Sequence, residues 1–249
     1  MKEKSYKNKD GKDIKSYIIE KDDNCFNHIL QGITALLALS ISINVYSVVY
    51  GDNRPKSSIE DSNREKLDKR YKYLFKSVNN KNSLDQILTG HPWSKLRISF
   101  GTDLFRKLYI ENEIDEFVID QLKVDDNEPF GDFQKEIIKI NKGNIFFNTT
   151  FYPFSVFYEE NFTSNLNFNN DSWYLAKAIR NIISHGKIID YKPKPAGYLK
   201  RKKDNKYIFK IGNFFEFTFT PDMQGKYIYE FISPVELICL MIQMNKDIS

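Results

Sequence analysis

The chain has 249 residues, 41% of them hydrophobic and 15% aromatic, which is material for one large domain or two small ones and excludes wholesale disorder. A net charge of +4 is mild, so any pull on an anionic partner must come from local clusters. Two cysteines, Cys25 and Cys239, lack a CxxC or Cys/His neighbour, which excludes a disulfide framework and reads as an intracellular, cytoplasmic protein with thiols in or near its core.

Residues 1–16 are polar and read as a mobile tail, with no secretory signal. A single helical-bundle domain then covers residues 17–249. Its first helix runs from about Ile18 or Asn24 to Tyr50, where Gly51-Asp52-Asn53-Arg54-Pro55 breaks it. Residues 29–50 are long and apolar enough to raise the question of a bilayer span. Gln31, Thr34, Ser40 and Asn44 within them are expensive in lipid, so a buried core helix is preferred and the span is kept as the alternative.

Residues 58–78 read as a charged helix carrying Leu67, Leu74 and Phe75, and Ser83-Leu84-Asp85-Gln86 as a capping box. Pro92 marks another start. Trp93, Leu96, Phe100, Leu104 and Leu108 recur at three- and four-residue steps, predicting an amphipathic helix over 92–111. Ile114, Phe117, Val118 and Leu122 predict a shorter one. Residues 144–162 are aromatic, but Pro153 and the Asn/Thr content argue against a regular helix.

Asp171 is a suitable N-cap and Gly186 a suitable C′ stop, which predicts a 14-residue helix between them. Tyr207–Ile211 and Phe214–Thr220 flank Gly212-Asn213, a two-residue hairpin signal. Ser233-Pro234-Val235-Glu236 is a capping box with proline at the first helical position, and Ile232 and Leu237 are placed as a hydrophobic staple. The last helix runs to about Asn245. The predicted fold class is mainly α: a helical bundle with a β-hairpin inserted between the last two helices.

The helix ending in Arg180-Asn181-Ile182-Ile183-Ser184-His185-Gly186 carries the chemistry. On a wheel with Arg180 at zero, Ser184 falls at about 40°, Lys177 at about 60°, Asn181 at about 100° and His185 at about 140°. Leu175, Ile179, Ile182 and Ile183 cluster at about 200° to 300°, giving an apolar back and a polar front. Arginine is shaped to grip phosphate, and histidine moves protons near neutral pH. His28 and His91 are isolated and read as structural or surface residues, so no metal and no cofactor is expected.

Arg180-Asn181-x-x-x-His185, followed by glycine at the end of an apolar helix, resembles the signature of the HEPN superfamily (higher eukaryotes and prokaryotes nucleotide-binding). The resemblance is specific over residues 171–187 and extends over a core of about 90–245. It implies an all-α bundle and a metal-independent endoribonuclease of the toxin–antitoxin or abortive-infection type, leaving 2′,3′-cyclic phosphate ends. Arg180 would hold the scissile phosphate, His185 would transfer protons, and Asn181 would orient His185 or contact phosphate. One histidine per chain cannot easily act as both base and acid, so the resemblance also implies a homodimer with two such helices facing each other. An antitoxin protein is a further implied partner. Members that have lost catalysis supply the alternative, a non-catalytic module binding RNA, a nucleotide or a protein.

A basic stretch follows. Lys187, Lys192, Lys194, Lys200, Arg201, Lys202, Lys203, Lys206 and Lys210 place nine cations within 24 residues, interleaved with Tyr191, Tyr198 and Tyr207. Such a run concentrates RNA and offers rings for base stacking. Lys177, Ser184, Lys187, Lys192, Lys194, Lys200, Arg201, Lys202 and Lys203 are therefore the expected substrate-binding residues, and single-stranded or looped RNA the expected partner.

Overall fold

The structure is a computed structural model that describes residues 1–7, 11, 13–36, 38, 76–80, 83–90, 94, 96–100, 104, 107, 114–122, 145–162, 170–191, 202–203 and 206–248. Within them the chain forms strands β1 (Lys2–Lys7) and β2 (Asp13–Glu20) and a first helix α1 over 26–36. Strands β3 (Lys76–Asn80), β4 (Ser83–Thr89), β5 (Arg97–Phe100) and β6 (Glu116–Leu122) follow. Next come helices α2 (Ile145–Asn161) and α3 (Asp171–Ser184), and strands β7 (Lys202–Lys203), β8 (Lys206–Ile211) and β9 (Phe215–Phe219). Helix α4 (Pro234–Ile248) closes the described chain.

The fold is mixed α/β with two antiparallel sheets, which corrects the expectation of a mainly α bundle. The larger sheet has the order β1-β2-β6-β5-β4-β3 and the smaller one β7-β8-β9. The polar segment read as a tail pairs instead as a hairpin, with Lys2 opposite Ile18 and Lys7 opposite Asp13. Its inner strand then takes β6 as a second neighbour, with Ile19 opposite Phe117.

Of the helix expected at 92–111, residues 97–100 form β5 instead, Leu104 and Lys107 are helical, and most of the remainder lies outside the described residues, while the helix expected around 114–122 gives way to β6. Leu96, Ile98 and Phe100 fit a period of two as well as a helical period, and so do Phe117 and Ile119. Pairing with distant strands decides between the two. Ile98 and Ile119 are fully buried, while Val118 between Phe117 and Ile119 is 40% exposed, as a strand with one solvated face requires. Of the helix expected at 58–78, residues 76–78 lie in β3 and the remainder lies outside the described residues. Ser83 to Gln86 belong to β4, not to a helix cap. Ile18 belongs to β2, so α1 begins later than the earliest expected start, and residues 39–50 lie outside the described residues. No helix among the described residues is long and apolar enough to cross a membrane.

Helix α2 forms despite Pro153 in its interior. Its Phe147, Phe154, Phe157 and Tyr158 are buried. Burying each large apolar side chain is worth about 1.5–3 kcal/mol, which together exceeds the roughly 3 kcal/mol an interior proline costs. Gly32 of α1 lies against Thr150 and Pro153, so the two helices approach closely where the proline sits.

The local signals at the C-terminal end hold. The three-stranded sheet lies between α3 and α4, and Phe215, Phe217 and Phe219 all point inward. The turn differs in length: Ile211 opposes Phe215, leaving Gly212, Asn213 and Phe214 in the loop. Phe214 is drawn into the core against Tyr17, with ring centroids 4.9 Å apart, and this contact sets the longer turn. At α4 the Glu236 arm of the expected capping box is present, while the Ser233 hydroxyl caps the second helical N–H in place of the third. The Val235 N–H donates to Ser233 Oγ at 3.2 Å, and the Ser233 N–H donates to Glu236 Oε2 at 2.9 Å.

Glu236 is fully buried. Besides the Ser233 N–H it accepts the hydroxyls of Ser233 and Ser94, so one carboxylate ties the start of α4 to the turn between β4 and β5. Gly90 makes room for it, because a Cβ there would sit 2.7 Å from Glu236 Oε1 and 2.9 Å from the Leu96 carbonyl oxygen. Glu236→Ala removes the acceptor from three buried or half-buried donors. We expect a loss of about 3 kcal/mol in unfolding free energy, read from urea denaturation.

Burial pushes the Cys25 thiol up to about 12. The unfolded chain releases that proton near the usual thiol value of about 8.5, whereas the folded protein keeps it. The associated stabilisation is full below about pH 8.5 and is lost as the pH rises from there toward 12. Urea midpoints at pH 7.5 and pH 10 should reveal a loss of about 1–2 kcal/mol at the higher pH, narrowed by Cys25→Ala.

Candidate functional site

Helix α3 begins one residue earlier than its sequence signal. Asn170, not Asp171, is the N-cap, and its side chain accepts from the Ser172 N–H. Asp171 is the first helical residue, and its carboxylate accepts the Lys210 N–H at 2.8 Å, which fastens the helix to β8. Trp173, Leu175, Ala176 and Ile179 form the buried back of the helix.

The C-terminal end is a Schellman turn. The Gly186 N–H donates to the Ile183 carbonyl at 3.1 Å and the Lys187 N–H to the Ile182 carbonyl at 2.9 Å. Gly186 has φ +96° and Lys187 follows at φ +69°, so two consecutive left-handed residues reverse the chain. Ile188 then bridges Tyr227, and the Ile189 N–H donates to the Lys226 carbonyl. The reversed segment runs back beside α3 and encloses a cleft of about 530 Å³.

Ala178, Asn181, Ile182 and His185 form the α3 wall of that cleft, a single stripe at helical spacing. Ile188, Asp190 and Tyr191 line it from the reversed segment, and Tyr207, Phe209 and Phe219 from the smaller sheet. The rings of Tyr191 and Tyr207 lie 5.7 Å apart and inclined at 53°. Burial pushes both phenols above their usual range, with Tyr191 adding to the shift of Tyr207. His185 is exposed at the helix terminus, and its imidazole makes no hydrogen bond to the described residues.

The expected catalytic residues are thus only partly brought together. Asn181 and His185 share the cleft; Arg180 does not line it. Its Nε donates to Glu159 Oε1 of α2 at 2.7 Å, with side-chain exposures of 40% and 51%. Its Nη1 donates to Asn181 Oδ1 at 3.4 Å, so the guanidinium reaches the cleft through the amide. Beside this pair, desolvation pushes the Tyr158 phenol up to about 12, with Glu159 adding to the rise and Arg180 opposing it.

The expected substrate-binding residues divide. The Ser184 hydroxyl turns back to the Arg180 carbonyl at 2.9 Å, and Lys187 Nζ donates to Asn148 Oδ1 at 3.0 Å. Lys177 is half-buried. Lys202 and Lys203 form β7, where Lys202 opposes Tyr207, a residue of the cleft. Lys192, Lys194, Lys200 and Arg201 lie outside the described residues, as do Tyr198 and His91. His28 is buried, with its Nε2 2.9 Å from Glu160 Oε2. Among the described residues no group of three histidines, cysteines or carboxylates is placed to hold a metal ion.

Sequence reasoning missed Asp190, Phe209, Phe219 and Glu159. The two phenylalanines were legible only as hairpin core. Glu159 stands in the segment whose proline argued against a helix. Comparisons with family models, curated proteins and solved structures found no match.

Nothing within 4 Å would obstruct a Cβ on Gly186, so Gly186→Ala meets only the penalty of its left-handed backbone. We expect a destabilisation of about 1 kcal/mol in urea denaturation, with Gly186→Asn closer to the parent protein.

Proposed function

We propose that this protein is a metal-independent endoribonuclease. The observation that carries the proposal is an exposed imidazole, His185, without a hydrogen bond to the described residues, on one helical stripe with Asn181 and at an aromatic cleft. An amide and an imidazole supply hydrogen bonds and a proton carrier, and the tyrosines supply stacking surfaces. The basic strand β7 runs beside the cleft and strengthens attraction for a polyanion.

In this reading His185 takes the proton of a ribose 2′-hydroxyl. The 2′-oxygen attacks phosphorus, the bond from phosphorus to the 5′-oxygen breaks, and the leaving oxygen receives a proton from the His185 of a second copy. A 2′,3′-cyclic phosphate and a 5′-hydroxyl result. Arg180 neutralises the charge that develops on the phosphoryl oxygens. An exposed pair such as Arg180–Glu159 contributes only about 0–1 kcal/mol, so a phosphodiester can draw the guanidinium away from its carboxylate. A homodimer supplies the second histidine. A cytoplasmic toxin or phage-defence role, with an antitoxin protein as partner, belongs to the same proposal.

The Arg180–Glu159 pair also favours a second reading, a non-catalytic module that binds RNA in the cleft with its arginine serving the bundle. One experiment separates the two. Single-stranded RNA is incubated with the protein in EDTA, and with Arg180→Ala and His185→Ala. Catalysis requires cyclic-phosphate products from the parent protein and a rate at least about 100-fold lower in each variant. RNA bound equally by all three proteins and cleaved by none establishes the binding module.

A further inference from the structure

We propose that the cleft beside His185 is a base-binding subsite selective for guanine, with Asp190 as its specificity residue. The inference rests on the RNA reading above and names what that site takes.

The cleft's dimensions suit a nucleotide: about 530 Å³ falls within the usual 300–1,000 Å³ of small-molecule sites. Its lining is that of a base pocket. Tyr191, Tyr207, Phe209 and Phe219 supply aromatic surface, and Ile188 and Ile189 supply apolar contact. Stacking alone accepts any base, since every base has a π-face.

Asp190 breaks that indifference. It stands between the buried Ile189 and the ring of Tyr191, and among the described residues it is the acidic one that lines the cleft. Its place is fixed from both sides by backbone bonds. The Ile189 carbonyl accepts the Gly225 N–H at 2.9 Å, and the Tyr191 N–H donates to the Gln224 side chain at 2.5 Å. A carboxylate accepts hydrogen bonds and cannot donate them. The Watson–Crick edge of guanine carries two adjacent donors, the N1 imino and N2 amino groups, which match both carboxylate oxygens. Adenine, cytosine and uracil each set a single donor beside an acceptor that the carboxylate repels. The same repulsion disfavours a phosphate next to Asp190, so the base takes that part of the cleft and the phosphate is left to Asn181 and His185.

The test is titration of the full-length parent protein with guanosine, adenosine, cytidine and uridine 3′-monophosphates, which carry no internucleotide bond to cleave, followed by calorimetry. Guanosine monophosphate should bind at least about tenfold tighter than the other three, as a bidentate base contact provides. Asp190→Asn should abolish that preference while its circular dichroism stays that of the parent. Equal binding of the four nucleotides, no saturable binding of any, or a preference that survives Asp190→Asn would overturn the proposal. Guanine-selective binding without RNA cleavage by the parent protein would leave this subsite standing and remove the nuclease. Cleavage without guanine preference would do the reverse.

Discussion

Helix α4 is buried on every side over its first two turns, and that sets the terms for the rest of the molecule. Its residues from Val235 to Ile242 are buried without interruption, so no face can be left to water. An ordinary amphipathic helix needs one neighbour; this one must be enclosed. Helix α2 covers it along one side and α3 along another, and β8 and β9 add their inward aromatic rows to the same core. The larger sheet reaches it through Lys246, whose ammonium lies 4.6 Å from the Tyr17 ring, and through the Ser94–Glu236 bond. The fully buried carboxylate of Glu236 is tolerable because hydroxyl and backbone donors surround it. Among the described residues, α2, α3 and the inward rows of the smaller sheet are the main apparatus of that enclosure.

The site follows from a second, local constraint. A chain leaving α3 in ordinary right-handed backbone would continue away from the helix. Two successive left-handed residues, Gly186 and Lys187, turn it back along the face it has just built. The bridge from Ile188 to Tyr227 holds the returning segment in place. The cleft is the space between the helix and its own continuation, floored by the smaller sheet. This explains why its polar residues, Asn181, His185 and Asp190, come from within ten positions of one another, while its aromatic residues come from β8 and β9 as well.

What was legible in the sequence divides along the same line between local and distant causes. The Gly186 stop, the hairpin rows of Phe215, Phe217 and Phe219, and the Ser233–Glu236 bond depend on neighbours within a few residues, and each appears in the structure. The larger sheet depends on partners such as Ile19 and Phe117, about a hundred positions apart, whose pairing leaves no mark on either segment alone. Segments such as Leu96 to Phe100 satisfy both periods, and only the distant strand decides. The mainly α expectation failed there, and in the polar β1, where paired lysines and a tyrosine look like a tail until their partner strand is known. At the site, the helical wheel placed Asn181 and His185 together correctly because one helix determines their relation. It could not place Arg180 against Glu159, since that pairing needs α2, a helix whose proline argued against its existence.

The position of Arg180 therefore carries more information than its presence in a motif. About 140° of helix rotation separates it from His185, and α2 lies on its side of α3. Its guanidinium forms one bond to a carboxylate and one to the Asn181 amide, and the amide belongs to the cleft. Asn181 is thus the hinge of the arrangement. Its side-chain oxygen holds the arginine, its backbone carbonyl accepts the His185 N–H at 3.1 Å, and its side chain faces the space where a ligand would lie. A phosphate entering beside Asn181 offers the guanidinium stronger, charge-assisted acceptors than an amide oxygen. The opposing pull is an ion pair half open to water, where solvent has already removed most of the Coulombic advantage. In the proposed nuclease, Arg180 would have to leave this pair before it could share an anion with His185, and the weakness of an exposed ion pair is what would let it do so.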